Sequence, residues 1–277
     1  MIRNFRKGNS VIQSSAASCL VGALLALGCS GAPEESSSQG DTTEDVQARV
    51  TRILEMRGFD TTGLVFTAEE TVVVEDDIII QIKDVLAWES ANIEKGYFFG
   101  SVTAPATIHL VNEAANPISA AWQWAFFLAA GNWNEKTTNL FIGGFGAVPP
   151  GAKVITVRKA SLSPPNTTTW ARATFPSGGN PGPTITLNKD YFQPGACGGT
   201  STSIENIPSN QALKVAIHEM GHTFGFAHPG DGSHIPFTAN LQNDPNYSTV
   251  MRQGCVGGSV AGTMSPDDQA SAFILGY

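Results

Sequence analysis

His218-Glu219-Met220-Gly221-His222-Thr223-Phe224-Gly225-Phe226-Ala227-His228 is the stretch whose reading decides the fold. Three of the chain's five histidines fall inside it. Residues four apart lie one above the other on a helix, so His218 and His222 can direct their rings at one metal ion. Gly225 takes positive φ cheaply, ends the helix and turns the chain so that His228 supplies a third nitrogen. Three protein ligands leave a fourth position open, the mark of a catalytic rather than a structural zinc site. Glu219 stands beside the ligands without being one of them, placed to accept a proton from water. Leu213, Ala216, Ile217 and Met220 follow the i, i+3, i+4, i+7 pattern and form the core-facing stripe. His218 and His222 fall roughly opposite it and face a cleft, and Ser209 reads as the cap that opens the helix.

Working outward toward the N-terminus, strands are read at Thr107–Val111, Val154–Arg158, Ala171–Phe175 and Thr184–Leu187, separated by Pro- and Gly-rich breakers. A helix is expected from Ser119 to Trp133, with Trp122, Ala125, Phe126, Ala129, Ala130 and Trp133 as packing residues on one side. A shorter helix starts near Thr42, carries Val46, Val50, Ile53 and Leu54 as its stripe, and ends at Gly58. Between these lies Thr71-Val72-Val73-Val74-Glu75-Asp76-Asp77-Ile78-Ile79-Ile80-Gln81-Ile82, two β-branched runs around an acidic triplet, read as a hairpin or bulge. Downstream of the zinc helix, Pro229 to Tyr247 is turn-rich, and Ser265-Pro266-Asp267-Asp268 opens a final helix. Strands, then the long zinc helix, then loops and a closing helix give an α+β domain with a cleft.

The first 28 residues read as an export signal: Arg3, Arg6 and Lys7 precede an apolar run from Ala16 to Leu27, too short to span a bilayer. Ala26-Leu27-Gly28-Cys29 is similar to a lipobox, which makes Cys29 a candidate lipidation site, with ordinary cleavage and free secretion as the other outcome. Residues 29–41 are polar and suit a flexible tether. The expected location is therefore the cell envelope, with outer-membrane lipoprotein as the first form, or the medium. A formal charge of −8 without any basic run excludes nucleic acid as partner and leaves a lipid anchor as the sole membrane contact. In an exported chain, Cys197 and Cys255 are expected to form a disulfide rather than to bind metal.

His218 to His228 matches the HExxHxxGxxH signature of the metzincins, and Met251 falls where that clan has its Met-turn. The chain also resembles the bacterial dual-action HEIGH metallopeptidases over about residues 46–277. The shared features are Gly58-Phe59-Asp60, Val74-Glu75-Asp76-Asp77-Ile78, Gly232-Ser233-His234-Ile235-Pro236 and Asp244-Pro245-Asn246. Pro229, Gln253 and Phe237 depart from related patterns, and Gln253 removes the tyrosine that astacins and serralysins hold near zinc.

The resemblance implies a metzincin-like fold: a twisted mixed sheet and active-site helix above the cleft, Met-turn and C-terminal helix below, and a small N-terminal pro-region. It implies Zn2+ held by His218, His222 and His228, Glu219 as general base, Met251 as support, and a protein or peptide substrate extended along an edge strand, expected at Thr184–Leu187. Astacin-type zymogens hold an aspartate on the zinc from a Phe-x-Gly-Asp segment. Glu75-Asp76-Asp77-Ile78 is similar, which makes Asp77 a possible zymogen zinc ligand beside the plain hairpin reading. The expected organisation is signal 1–28, tether 29–41, propeptide 42–95 and catalytic domain 96–277, as a monomer. The alternative from another class is a zinc-containing surface lipoprotein that binds a partner without cleaving it.

Overall fold

The computed structural model describes residues 43–90, 102–192, 203–228 and 251. The export signal, the tether, Cys29, Cys197, Cys255 and the helix expected after Ser265 lie outside the described residues. No described helix is long and apolar enough to cross a membrane.

Helix α1, Thr43–Met56, buries Val50, Ile53 and Leu54, three of the four residues of its expected stripe. Gly58, at φ 81°, ends it, and the Phe59 N–H closes back on the Leu54 carbonyl at 3.0 Å. Strand β1, Val65–Phe66, is followed by β2, Thr71–Val74, and β3, Ile78–Gln81, which pair antiparallel with Val74 opposite Ile78. The acidic triplet is thus the turn of a tight hairpin. Helix α2, Ile82–Ser90, follows directly.

Strand β4, Ala106–Asn112, leads into α3, Ala120–Lys136, where the Ser119 side chain accepts the Trp122 N–H. All six residues expected to pack on one side of α3 are buried. Strands β5, Leu140–Gly143, β6, Lys153–Ala160, β7, Ala171–Thr174, and β8, Thr184–Asn188, precede α4, Ser209–Phe224. Ser209 is not the cap of α4: Pro208 takes that position, and its carbonyl accepts the N–H groups of Gln211 and Ala212. A proline there loses no helical hydrogen bond, because the first N–H groups of a helix have no internal partner.

The eight strands form one mixed sheet in the order β1-β2-β3-β7-β8-β6-β4-β5. Strand β3 runs parallel to β7, β7 antiparallel to β8, and β8, β6, β4 and β5 run parallel to one another. This placement corrects the expected substrate strand. Thr184–Asn188 is internal, paired on both sides, and has no edge to offer an incoming peptide. Strand β7 ends the 102–228 portion of the sheet, and β3 covers its outer edge, with the Ala173 N–H donating to the Asp77 carbonyl at 2.9 Å and the Phe175 N–H to the Ile79 carbonyl at 2.8 Å. Residues 43–90 and 102–228 are therefore joined by a continuous backbone ladder across the expected boundary near residue 95.

Two apolar clusters stabilise the arrangement. The larger one packs α3 and α4 against the sheet, with Phe126, Trp133, Met220, Phe224 and Ile108 fully buried. Trp133 is central to it. Its indole N–H donates to the Ile217 carbonyl at 3.3 Å, and its ring meets Phe224 and Phe226 edge-on at 5.0 and 5.2 Å. The smaller cluster packs α1 and α2 on β2 and β3, and includes Phe175 from just after β7.

Candidate active site

Helix α4 carries His218, Glu219 and His222 in successive turns. Gly221 between them lets Met251 approach closely: a Cβ at that position would overlap the Met251 sulfur, and the methionine would have to move aside. Met251 is buried directly beneath the helix in the main core. At the helix end Gly225 adopts φ 100°, ψ 13°, and its N–H returns to the Gly221 and His222 carbonyls. Phe226 follows with an N–H to the Gly221 carbonyl at 3.0 Å, and the chain then brings His228 back beside the helix. Trp133, gripping Phe224 on one side of the glycine and Phe226 on the other, fixes this reversal.

The three imidazoles converge. The Nε2 atoms of His218 and His222 are 3.0 Å apart, and each is 3.1 Å from that of His228. Tetrahedral zinc with Zn–N distances of 2.0–2.1 Å places its nitrogens about 3.3 Å apart, so the triangle fits that ion closely. The Nδ1 atoms explain why the lone pairs face inward. His222 Nδ1 donates to the Phe226 carbonyl at 2.6 Å, and His228 Nδ1 to the Glu75 carboxylate at 2.7 Å. With these partners the rings of His222 and His228 can keep a proton on Nδ1 and offer Nε2 to a metal at the centre.

A carboxylate completes the group. Asp77 Oδ2 lies 3.2 Å from His228 Nε2 and 3.4 Å from His218 Nε2, and Oδ1 is 3.8 Å from His222 Nε2. Asp77, His218, His222 and His228 together form a buried set of side chains able to hold a metal ion. Asp77 comes from the β2–β3 turn, where Glu75 and Asp76 take φ 51° and 68°. Asp76 stands where the similar zymogen segment has glycine, and it adopts the left-handed backbone glycine would favour, with its side chain exposed and out of the way. The buried Arg172 holds the tip of the turn, donating from Nε to the Asp76 carbonyl at 2.5 Å and from its guanidinium to the Pro164 carbonyl at 3.0 Å.

The electrostatics of the cluster favour a cation at its centre. Burial opposes the charge on Asp77, but the neighbouring His228 and the hydrogen bonds of His218 and His228 hold its carboxyl well below the usual carboxylate range. Burial and the adjacent His218 push His222 well below its ordinary value, keeping it neutral. Burial lowers His228 too, yet the Asp77 and Glu75 carboxylates outweigh it and raise that ring to about 10. Glu219 is shifted the other way: burial, then the Asp77 charge, raise its carboxyl well above 4.5, and its Oε2 has no hydrogen-bond partner among the described residues. A buried carboxyl beside a metal-ligand set, with one oxygen unpartnered among the described residues, has the chemistry to exchange a proton with a water held there.

The model of the dual-action HEIGH metallopeptidases matches residues 72–231, more than half of the chain. The chain belongs to that family. Met220 stands where the family's name has isoleucine. No curated protein sequence matches. Among solved structures, that of myroilysin is similar at 11% identity, over 63% of this chain and 81% of that one, with a TM-score of 0.35, a likeness too slight to carry an argument. Membership makes the chain a zinc-dependent metallopeptidase that acts on protein or peptide substrates.

Sequence reasoning missed Glu75. Its carboxylate reaches His228 through one oxygen and accepts the Asp60 backbone N–H at 2.9 Å through the other. The available signal was its spacing of two from Asp77, which places both side chains on the same side of an extended chain.

Proposed function

We propose that this HEIGH metallopeptidase is an exported endopeptidase made as a zymogen. His218, His222 and His228 hold the zinc, and Met251 supports them from beneath α4. When bound, zinc supplies a Lewis acid that polarises the scissile carbonyl and makes water a nucleophile near neutral pH. Glu219 accepts the proton of the attacking water on its free oxygen and returns it to the departing amine. The converging Nε2 triangle with Glu219 buried beside it is the observation that carries this reading.

Residues 42–95 act as the propeptide. Asp77 occupies the side of the metal group left open by the histidines, and β3 covers the edge of β7 on which an extended substrate would pair. Release of the β2–β3 hairpin would free both at once. On this reading the export signal, with Cys29 as lipid-bearing residue, would send the enzyme to the cell envelope, or to the medium if the signal is cut in the ordinary way. The test is to purify residues 30–277, measure bound zinc, and follow peptide hydrolysis alongside the N-terminus of each species on incubation. Activity that rises together with a new N-terminus between about residues 85 and 100 supports the zymogen reading. A stable, intact and fully active chain contradicts it.

A further inference from the structure

The β2–β3 turn touches the metal group at two points, and only one of them is an obstruction. Asp77 enters from the front, among the Nε2 atoms. Glu75 works from behind: its Oε2 accepts the Nδ1–H of His228 at 2.7 Å, on the side of the ring away from the other two histidines. His222 has the equivalent support from within its own segment, the Phe226 carbonyl at 2.6 Å. Among the described residues, His228 takes this support from a segment distant in sequence. It also needs it more, since it stands beyond the helix end on the chain that follows Gly225.

We propose that Glu75 is a positioning residue for zinc binding, and that the turn which carries the blocking Asp77 also assembles the third ligand. A carboxylate on Nδ1–H fixes the tautomer that leaves Nε2 free for the metal, fixes the ring plane and makes Nε2 a better donor. The geometry of Glu75 suits this task. Its second oxygen is tied to the Asp60 N–H at the start of the loop after α1, and its side chain is largely buried, so the carboxylate has one orientation. Its backbone takes φ 51°, a conformation unfavourable for a residue with a side chain, and the turn keeps glutamate there. The N-terminal segment thereby has two opposed effects on the site, holding the metal and denying it to substrate.

This inference rests on the zinc reading above, and its test separates the two. In the intact chain with Glu219→Gln to prevent self-cleavage, zinc affinity is measured by competition with a chromophoric chelator for the parent, Glu75→Gln and Glu75→Ala. Glu75→Ala is expected to weaken zinc about 10–100-fold, the usual cost of losing a partner of a metal-bound histidine. Glu75→Gln, whose single amide oxygen can still accept the Nδ1–H while giving up the Asp60 N–H, is expected to recover part of that loss. Glu75→Ala also releases the Asp60 N–H, so its metal-free melting temperature is expected to fall, and zinc affinity is compared at a temperature where circular dichroism shows every variant folded. Equal zinc affinity in the parent and Glu75→Ala overturns the inference, as does a Glu75→Gln protein that binds zinc no more tightly than Glu75→Ala. If the parent itself binds no zinc, the failure belongs to the zinc reading.

Discussion

The Asp77 carboxylate lies 3.2 Å from Nε2 of His228, although the two residues come from the β2–β3 hairpin and from the chain beyond the zinc helix. Under the proposed zymogen reading, an aspartate in that position would compete with substrate for the same site. Asp77→Ala in the intact chain should raise hydrolysis of a fluorogenic peptide at least about tenfold, with the bound zinc unchanged, because the three histidines that hold it remain. Mass spectrometry of the assayed protein establishes that its N-terminus is uncut. Unchanged low activity would remove Asp77 as the block.

Gly225 carries the reversal that brings His228 to the group, at φ 100°. Gly225→Ala should cost about 1–2 kcal/mol, the penalty of a Cβ in the left-handed region. Because the strain falls between two ligands, zinc affinity should drop with stability. Denaturant unfolding with and without zinc measures both.

The ion pair between Glu205 and Lys159 gives a pH prediction away from the metal. Burial works against the Glu205 charge, but Lys159 at 2.5 Å and the Ser119 hydroxyl outweigh it and lower the carboxyl below its ordinary 4.5. A group with a depressed folded pKa contributes stability that is present above 4.5 and is lost as the pH falls through the folded value. Glu205→Gln should therefore cost at most about 0.5 kcal/mol at pH 7, since the pair is partly exposed and screened. The difference from the parent should vanish as the pH drops well below 4.5. Urea unfolding at pH 7, 5 and 3.5 tests this, and a difference independent of pH would contradict it.

The packing residues of α1 and α3 were legible because helical periodicity is written locally: Val50, Ile53 and Leu54, and all six expected residues of α3, are buried. The histidine convergence was legible for the same reason, since i, i+4 spacing and a glycine at the helix end set it within eleven residues. The sheet was not. The sequence of Thr184–Asn188 is that of any β-branched strand, and its internal place arises from pairing with β6 and β7, segments it meets only in the fold. Helix α2 and strand β5 were missed because each is a short run whose state depends on its neighbours, α2 on α1 and β5 on β4. The cleft expected beside the histidines is filled by the β2–β3 turn, so His218, Glu219, His222 and His228 are all buried. Nothing in the helix pattern could have announced that.

Removal of zinc should destabilise the folded chain, because the unfolded chain has no preformed triangle of imidazoles. Free zinc at one hundred times its dissociation constant adds about 2.7 kcal/mol. The melting temperature should rise with zinc concentration and fall on adding a chelator. A melting temperature indifferent to both would deny the site its metal.

The most direct test places Glu219→Gln in the Asp77→Ala chain and measures bound zinc and peptide hydrolysis on the same samples. The account predicts one zinc per chain with and without the substitution, and hydrolysis lowered by about 10²–10⁴-fold, the contribution of a positioned general base. Hydrolysis that persists undiminished in the zinc-loaded Glu219→Gln protein would contradict it.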